Sequence, residues 1–260
     1  MLGQVIVTEF AKLRRTRITW LTLLAFSIAP AAAGLFMWIV REPGRAATLG
    51  LLGTKANLSG IQATWPSYLS MLTLIVGMGG MLLLAFLVAY VFGREYAEGT
   101  AKNLLALPVG RHWIVLAKFV VVLAWWLALV VAILAESFAI GLLLGLPGFS
   151  AGLALGAVRD VALVAAAAYL LAPPLAWITE LGRGYLPAIG FALATLALGD
   201  VFTHTGWAAW FPWSVLPLFV GAVGNRQTAI APGSVIVVVL TFLLGIAATI
   251  AQLRYADNAQ

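Results

Sequence analysis

Residues 92–118 read FGREYAEGTAKNLLALPVGRHWIVLAK. Of the chain's 15 Lys and Arg and 9 Asp and Glu, six lie in this stretch: Arg94, Glu95, Glu98, Lys102, Arg111 and Lys118. Long apolar runs flank it on both sides. Gly93 is placed to let the chain leave the preceding run. Gly99 breaks any continuing helix, and Thr100 is suited to cap a new one. Ala101 to Leu107 then reads as a short helix, stopped by Pro108 and followed by Gly110. Seven residues make about two turns, roughly 10 Å, and such a helix does not hold together alone in water. Leu104, Leu105 and Ala101 give it a small apolar face, with Lys102 and Asn103 beside it. That face needs a surface to sit on: the membrane, the rest of the chain or a partner protein. Composition does not choose among them.

The sequence around this stretch defines its solvent. Of 260 residues, 63% are apolar and 9% charged, against about 25% charged in soluble domains. So few charges cannot clothe a water-soluble surface, so the expected class is an all-α integral membrane protein. Six spans are expected at 18–40, 68–92, 119–146, 158–179, 186–202 and 234–252, in a single transmembrane domain covering 1–260, with 93–118 as the principal loop. Basic residues before the first run and Ala31–Ala32–Ala33 within it raise the possibility of a cleaved signal peptide. The apolar run continues to Val40, a length that suits an uncleaved span better. The net charge of +6 does not point to nucleic acid, because the bases sit beside apolar runs, where they act as orientation signals. With the N-terminus inside, ten Lys and Arg fall on the inner side: Lys12, Arg14, Arg15, Arg17, Arg94, Lys102, Arg111, Lys118, Arg183 and Arg254. Five fall outside: Arg41, Arg45, Lys55, Arg159 and Arg226. Both termini and the 93–118 loop are then cytoplasmic. The absence of cysteine excludes disulfides, Fe–S clusters and thiolate metal sites.

Residues 1–17, MLGQVIVTEFAKLRRTR, place Leu2, Ile6, Phe10 and Leu13 on one helical face. This predicts an amphipathic helix lying in the inner headgroup layer with its basic residues reaching lipid phosphate, the alternative being a basic flank that only orients the first span.

The run from Arg94 to Arg111 resembles the signature cytoplasmic loop of type-2 ABC transporter permeases, most closely the small permeases of bacitracin and lantibiotic resistance exporters. That loop commonly reads R-E-x-x-x-G-T-x-x-x-L-L-x-x-P-x-x-R and ends in a lysine near the next span, here Lys118. The approach Glu9-Phe10-Ala11-Lys12-Leu13-Arg14-Arg15 and the cluster Phe211-Pro212-Trp213-Ser214 are also similar to the family. The resemblance implies that 101–107 is a coupling helix docking on a separate ATPase subunit. Contacts would come from Glu95, Tyr96, Glu98, Gly99, Thr100, Ala101, Lys102, Asn103, Leu104, Leu105, Leu107, Pro108 and Arg111. Two permeases and two ATPases would make an exporter in the inner membrane, its path lined by the second and fifth spans, its cargo unnamed. ATP and Mg would be bound by the partner, since no phosphate-cradling G-x-x-x-x-G-K-[ST] occurs in this chain.

Other patterns are weaker. Gly148-Phe149-Ser150-Ala151-Gly152 fits G-x-S-x-G but sits in a short outer connection, where a small-residue turn accounts for it. Glu136 is the one acid well inside a span, and carboxylates there are expensive; a structural or gating role is expected. An intramembrane enzyme or a secondary transporter using Glu136 or Asp200 is the alternative class. Gly141-Leu-Leu-Leu-Gly145 permits close helix contact, within or between chains. The aromatic cluster at Trp207, Trp210, Phe211 and Trp213 reads as an interfacial belt, while the resemblance implies a re-entrant hairpin between spans five and six. No histidine pattern able to hold a metal is present.

Overall fold

The protein, seen as a computed structural model, is described over residues 2–51, 61–100, 109–220 and 231–255. Among these residues the regular structure is helical throughout. In chain order the helices are α1 (Leu2–Arg14), α2 (Arg17–Arg41), α3 (Pro43–Thr48), α4 (Trp65–Ala97), α5 (Arg111–Leu143), α6 (Ala151–Leu170), α7 (Ala172–Leu181) and α8 (Tyr185–Thr203). A 3-10 turn at Pro212–Ser214, then α9 (Val215–Val220) and α10 (Pro232–Tyr255), complete the set. Among the described residues, six helical stretches are long and apolar enough to cross a membrane: α2, α4, α5, α6 with α7, α8 and α10. The predicted coupling helix at 101–107 lies outside the described residues.

Several boundaries move. Helices α4 and α5 have 33 residues each, roughly 50 Å against a hydrocarbon core of about 30 Å. Both therefore run past the apolar segments that hydropathy marks. Gly93 does not end the second span: it lies inside α4, where a Cβ would come within 3.0 Å of Thr179 and Tyr185. It is a close-packing residue, and the chain leaves the helix only at Gly99, whose φ is +67°. Gly99 N–H donates to Tyr96 O and Thr100 N–H to Glu95 O, the paired bonds of a helix stop built on a left-handed glycine. The same device ends α5. Gly145 has φ +57°, its N–H reaches Leu142 O and the Leu146 N–H reaches Gly141 O. The third span thus stops at Leu143 rather than Leu146. Its Gly141 faces Trp65, whose ring would lie 2.4 Å from an added Cβ, so this half of the G-x-x-x-G serves contact within the chain.

The fourth span starts earlier than its charges suggest. Ser150 Oγ accepts from Leu153 N–H at 3.2 Å and caps α6, which gives the G-x-S-x-G serine a structural role. Arg159 and Asp160 then fall inside α6, paired with each other at 2.9 Å. The span is also broken at Leu171. Pro173 and Pro174 carry no N–H to donate to Tyr169 and Leu170, so α7 begins as a new helix.

α4 is the central element, with α2, α5, α6, α7 and α8 packed around it and α1 lying along α5. α10 packs chiefly on α7, where Gly245 leaves room for the Pro173–Pro174 step; an added Cβ would lie 2.7 Å from either proline. The outer side of α10 exposes Val235, Ile236, Val239, Leu240, Leu243 and Leu244, spaced by four along one apolar face. At the far end of the bundle, Ser214 Oγ donates to Gly199 O at 3.2 Å and Phe211 stacks on Phe202. Leu216 is fully buried while Trp207 and Trp210 are exposed. This segment packs against α8 and α4. Residues 221–230, which the hairpin reading also needs, lie outside the described residues.

Candidate functional site at the loop end of the bundle

α4 ends and α5 begins at the same end of the bundle, where α1 and α2 meet, α7 passes to α8 and α10 finishes. Because α4 continues as a helix past Phe92, Glu95 stays on the same buried face as Val91 and Phe92. Lys118 is placed likewise by α5, among buried Ile114, Val115, Val121 and Val122. The two meet with Lys118 Nζ 2.6 Å from Glu95 Oε2. Lys118 is 2% exposed and Glu95 4%. The ammonium also donates to Val91 O at 2.5 Å and lies 5.3 Å over the Phe92 ring. Burying such a pair is costly unless its lone pairs and protons find partners, and here one carbonyl and one ring help to supply them.

The network reaches α1. Lys12 Nζ lies 2.5 Å from Glu9 Oε1 and 3.6 Å from Glu95 Oε1. Arg94 Nε approaches the same Glu95 oxygen at 3.6 Å, without closing a hydrogen bond. α1 is therefore rotated from the expected wheel. Glu9 and Leu13 are buried and Phe10 is exposed, because the face against α5 is centred on the acid that the network holds. The pattern of apolar residues alone missed Glu9 for this reason.

The other flank residues make separate ties. Tyr96 O–H donates to Glu180 Oε2 at 2.5 Å, joining the last turn of α4 to the last turn of α7. Glu180 is 4% exposed and lies beside Arg183, a residue with φ +49°. The Tyr90 and Tyr185 rings stack above, 6.3 Å apart. At the start of α5, Arg111 Nη1 donates to Leu253 O at 2.8 Å and Arg254 O at 2.9 Å. It thereby satisfies carbonyls at the end of α10, where the helix carries partial negative charge. Glu180 carried no signal in the sequence, since one acid near a Gly-Arg-Gly turn reads as a solvated loop residue.

Of the residues expected to contact a partner, Glu95, Tyr96 and Arg111 are thus engaged with other helices. Glu98 and Gly99 are exposed, and Thr100 is half-buried. Ala101, Lys102, Asn103, Leu104, Leu105, Leu107 and Pro108 lie outside the described residues. Glu136 is remote from this network: it is half-buried, and its Oε1 accepts from Ser27 Oγ at 2.7 Å across the α2–α5 seam. Asp200 is exposed on α8.

Among the described residues, six stretches long and apolar enough to span a membrane, with α4 at their centre, define a multi-pass helical membrane protein. Residues 5–199 match a family described as "ABC-2 family transporter protein". Over 184 residues the chain is 32% identical to the bacitracin transport permease protein BCRB of Bacillus licheniformis, an overlap covering 70% of this chain and 88% of that relative. The chain belongs to the ABC-2 transporter family, as a type-2 ABC permease: a transporter's membrane subunit, of a kind that works with ATPase subunits.

Proposed function

We propose that this chain forms the translocation path of an ATP-driven exporter and receives its stroke from a separate ATPase subunit at the 98–110 loop. The observation that carries the reading is the anchoring of that loop. One flank holds α5 and α1 through Glu95 and holds α7 through Tyr96; the other holds α10 through Arg111. A push on the loop is then delivered to four elements together, as a rigid-body movement needs. Glu95, Tyr96 and Arg111 act in this reading as positioning residues, and the 101–107 segment with Glu98, Gly99 and Thr100 supplies the contact. ATP and Mg are bound by the partner. Two copies of this chain with two ATPases form the working unit, in the inner membrane with both termini in the cytoplasm. The segment from Pro212 to Val220 is the first arm of a re-entrant hairpin that roofs the path. The relative's printed name, a bacitracin transport permease, supports a bacitracin-like antibiotic as cargo.

The test is co-purification. The pair Leu104→Asp and Leu105→Asp is expected to abolish recovery of a stoichiometric ATPase while leaving membrane insertion intact. Retention of the ATPase by that variant refutes the docking assignment.

A further inference from the structure

We propose that the outward face of α1 is a binding site for an anionic phospholipid of the surrounding leaflet. The charges of this segment are sorted by side. Its only acid, Glu9, is buried and held by Lys12 at 2.5 Å. Arg14, Arg15 and Arg17 are all exposed, and none makes an ion pair among the described residues. Beside them a surface depression of about 500 Å³ is bounded by Ile6, Val7, Phe10, Ala11, Arg14 and Arg15. Val7 is 68% and Phe10 42% exposed.

Two guanidinium groups bordering an apolar trough, with a third exposed arginine, Arg17, close by in the chain, match a phosphate and the upper part of an acyl chain. Guanidinium suits phosphate because its planar donors pair with two oxygens at once. The position selects lipid over a soluble ligand. Arg17 opens the first spanning helix, at the level where headgroups lie, and Trp20, 72% exposed, sits one turn further in, as an interfacial anchor does. An exposed apolar trough at that level is filled by acyl chain. Because α1 also carries Lys12, 3.6 Å from Glu95, lipid charge would steady the loop anchor. That consequence rests on the coupling reading; the binding itself does not.

The test uses the full chain in phosphatidylcholine vesicles with spin-labelled phosphatidylglycerol or spin-labelled phosphatidylcholine as probe. The immobilised fraction is expected to favour phosphatidylglycerol. Arg14→Gln, Arg15→Gln and Arg17→Gln together should reduce that preference at least fivefold, the contribution of about one arginine near an anionic surface. Arg159→Gln, on the α6 surface, should leave it unchanged. If the triple variant does not insert, single Arg14→Gln and Arg15→Gln variants carry the same expectation in direction. Equal immobilisation of both lipids by the unmodified chain overturns the proposal, as does an unchanged preference in the variants. Displacement of the labelled lipid by aqueous glycerol 3-phosphate would assign the site to free phosphate instead and equally overturn it.

Discussion

Lys118 shows how much one side chain decides. It is a lysine eight residues into a helix, with its ammonium sealed between α4 and α5 and bonded to Glu95 and Val91 O. Removing one member of a buried pair leaves the other charge uncompensated, at a cost of about 3–5 kcal/mol, whereas replacing both by apolar or neutral groups is often close to neutral. Lys118→Met alone is therefore expected to lower stability by about that amount. Lys118→Met with Glu95→Gln should recover most of the loss. Thermal unfolding of the purified chain measures both, and additive effects of the two substitutions would remove the pair from the account.

At the scale of elements, the α7–α10 seam depends on a glycine opposite a proline step. Helices in lipid gain little from the hydrophobic effect and associate through close packing. Gly245→Val would drive carbon into Pro173 and Pro174 at 2.7 Å and is expected to lower the unfolding temperature clearly. Gly156→Val, where nothing lies within 4 Å, should leave it nearly unchanged. Equal effects of the two would show that the seam is not tightly packed. This seam also marks where the sequence stopped being legible. The six apolar runs were visible because lipid demands long uncharged stretches, and Gly99 was visible as a stop because few residues adopt a left-handed backbone. Gly93 looked like the same kind of signal, but in α4 it serves packing against Thr179 and Tyr185, which lie more than 80 positions away. Glu180 and the inward turn of Glu9 were hidden for the same reason: their meaning comes from partners on other helices. The second span is expected to end at Phe92 and the third to begin at Phe119, yet the helices continue through Arg94 and Lys118.

For the whole molecule, the proposed coupling makes the loop the handle and its flanks the fixings. α4 passes through the centre, so in that proposal movement of its last turn reaches the helices packed around it. Tyr96→Phe removes the hydroxyl that reaches Glu180, and Arg111→Gln removes the guanidinium that holds the end of α10, while the buried Glu95–Lys118 pair stays in place. The variant carrying both should still fold and still bind its ATPase, but deliver less motion to α7 and α10. Because the chain has no cysteine, labels can be introduced singly at Arg45 and Trp207, both exposed at the far end of the bundle. The decisive measurement is the ATP-dependent change in distance between these two labels in the assembled transporter, by pulsed electron spin resonance. The change is expected in the otherwise unmodified chain and should fall by at least half in Tyr96→Phe with Arg111→Gln; a full-sized change in that variant would contradict transmission through Tyr96 and Arg111.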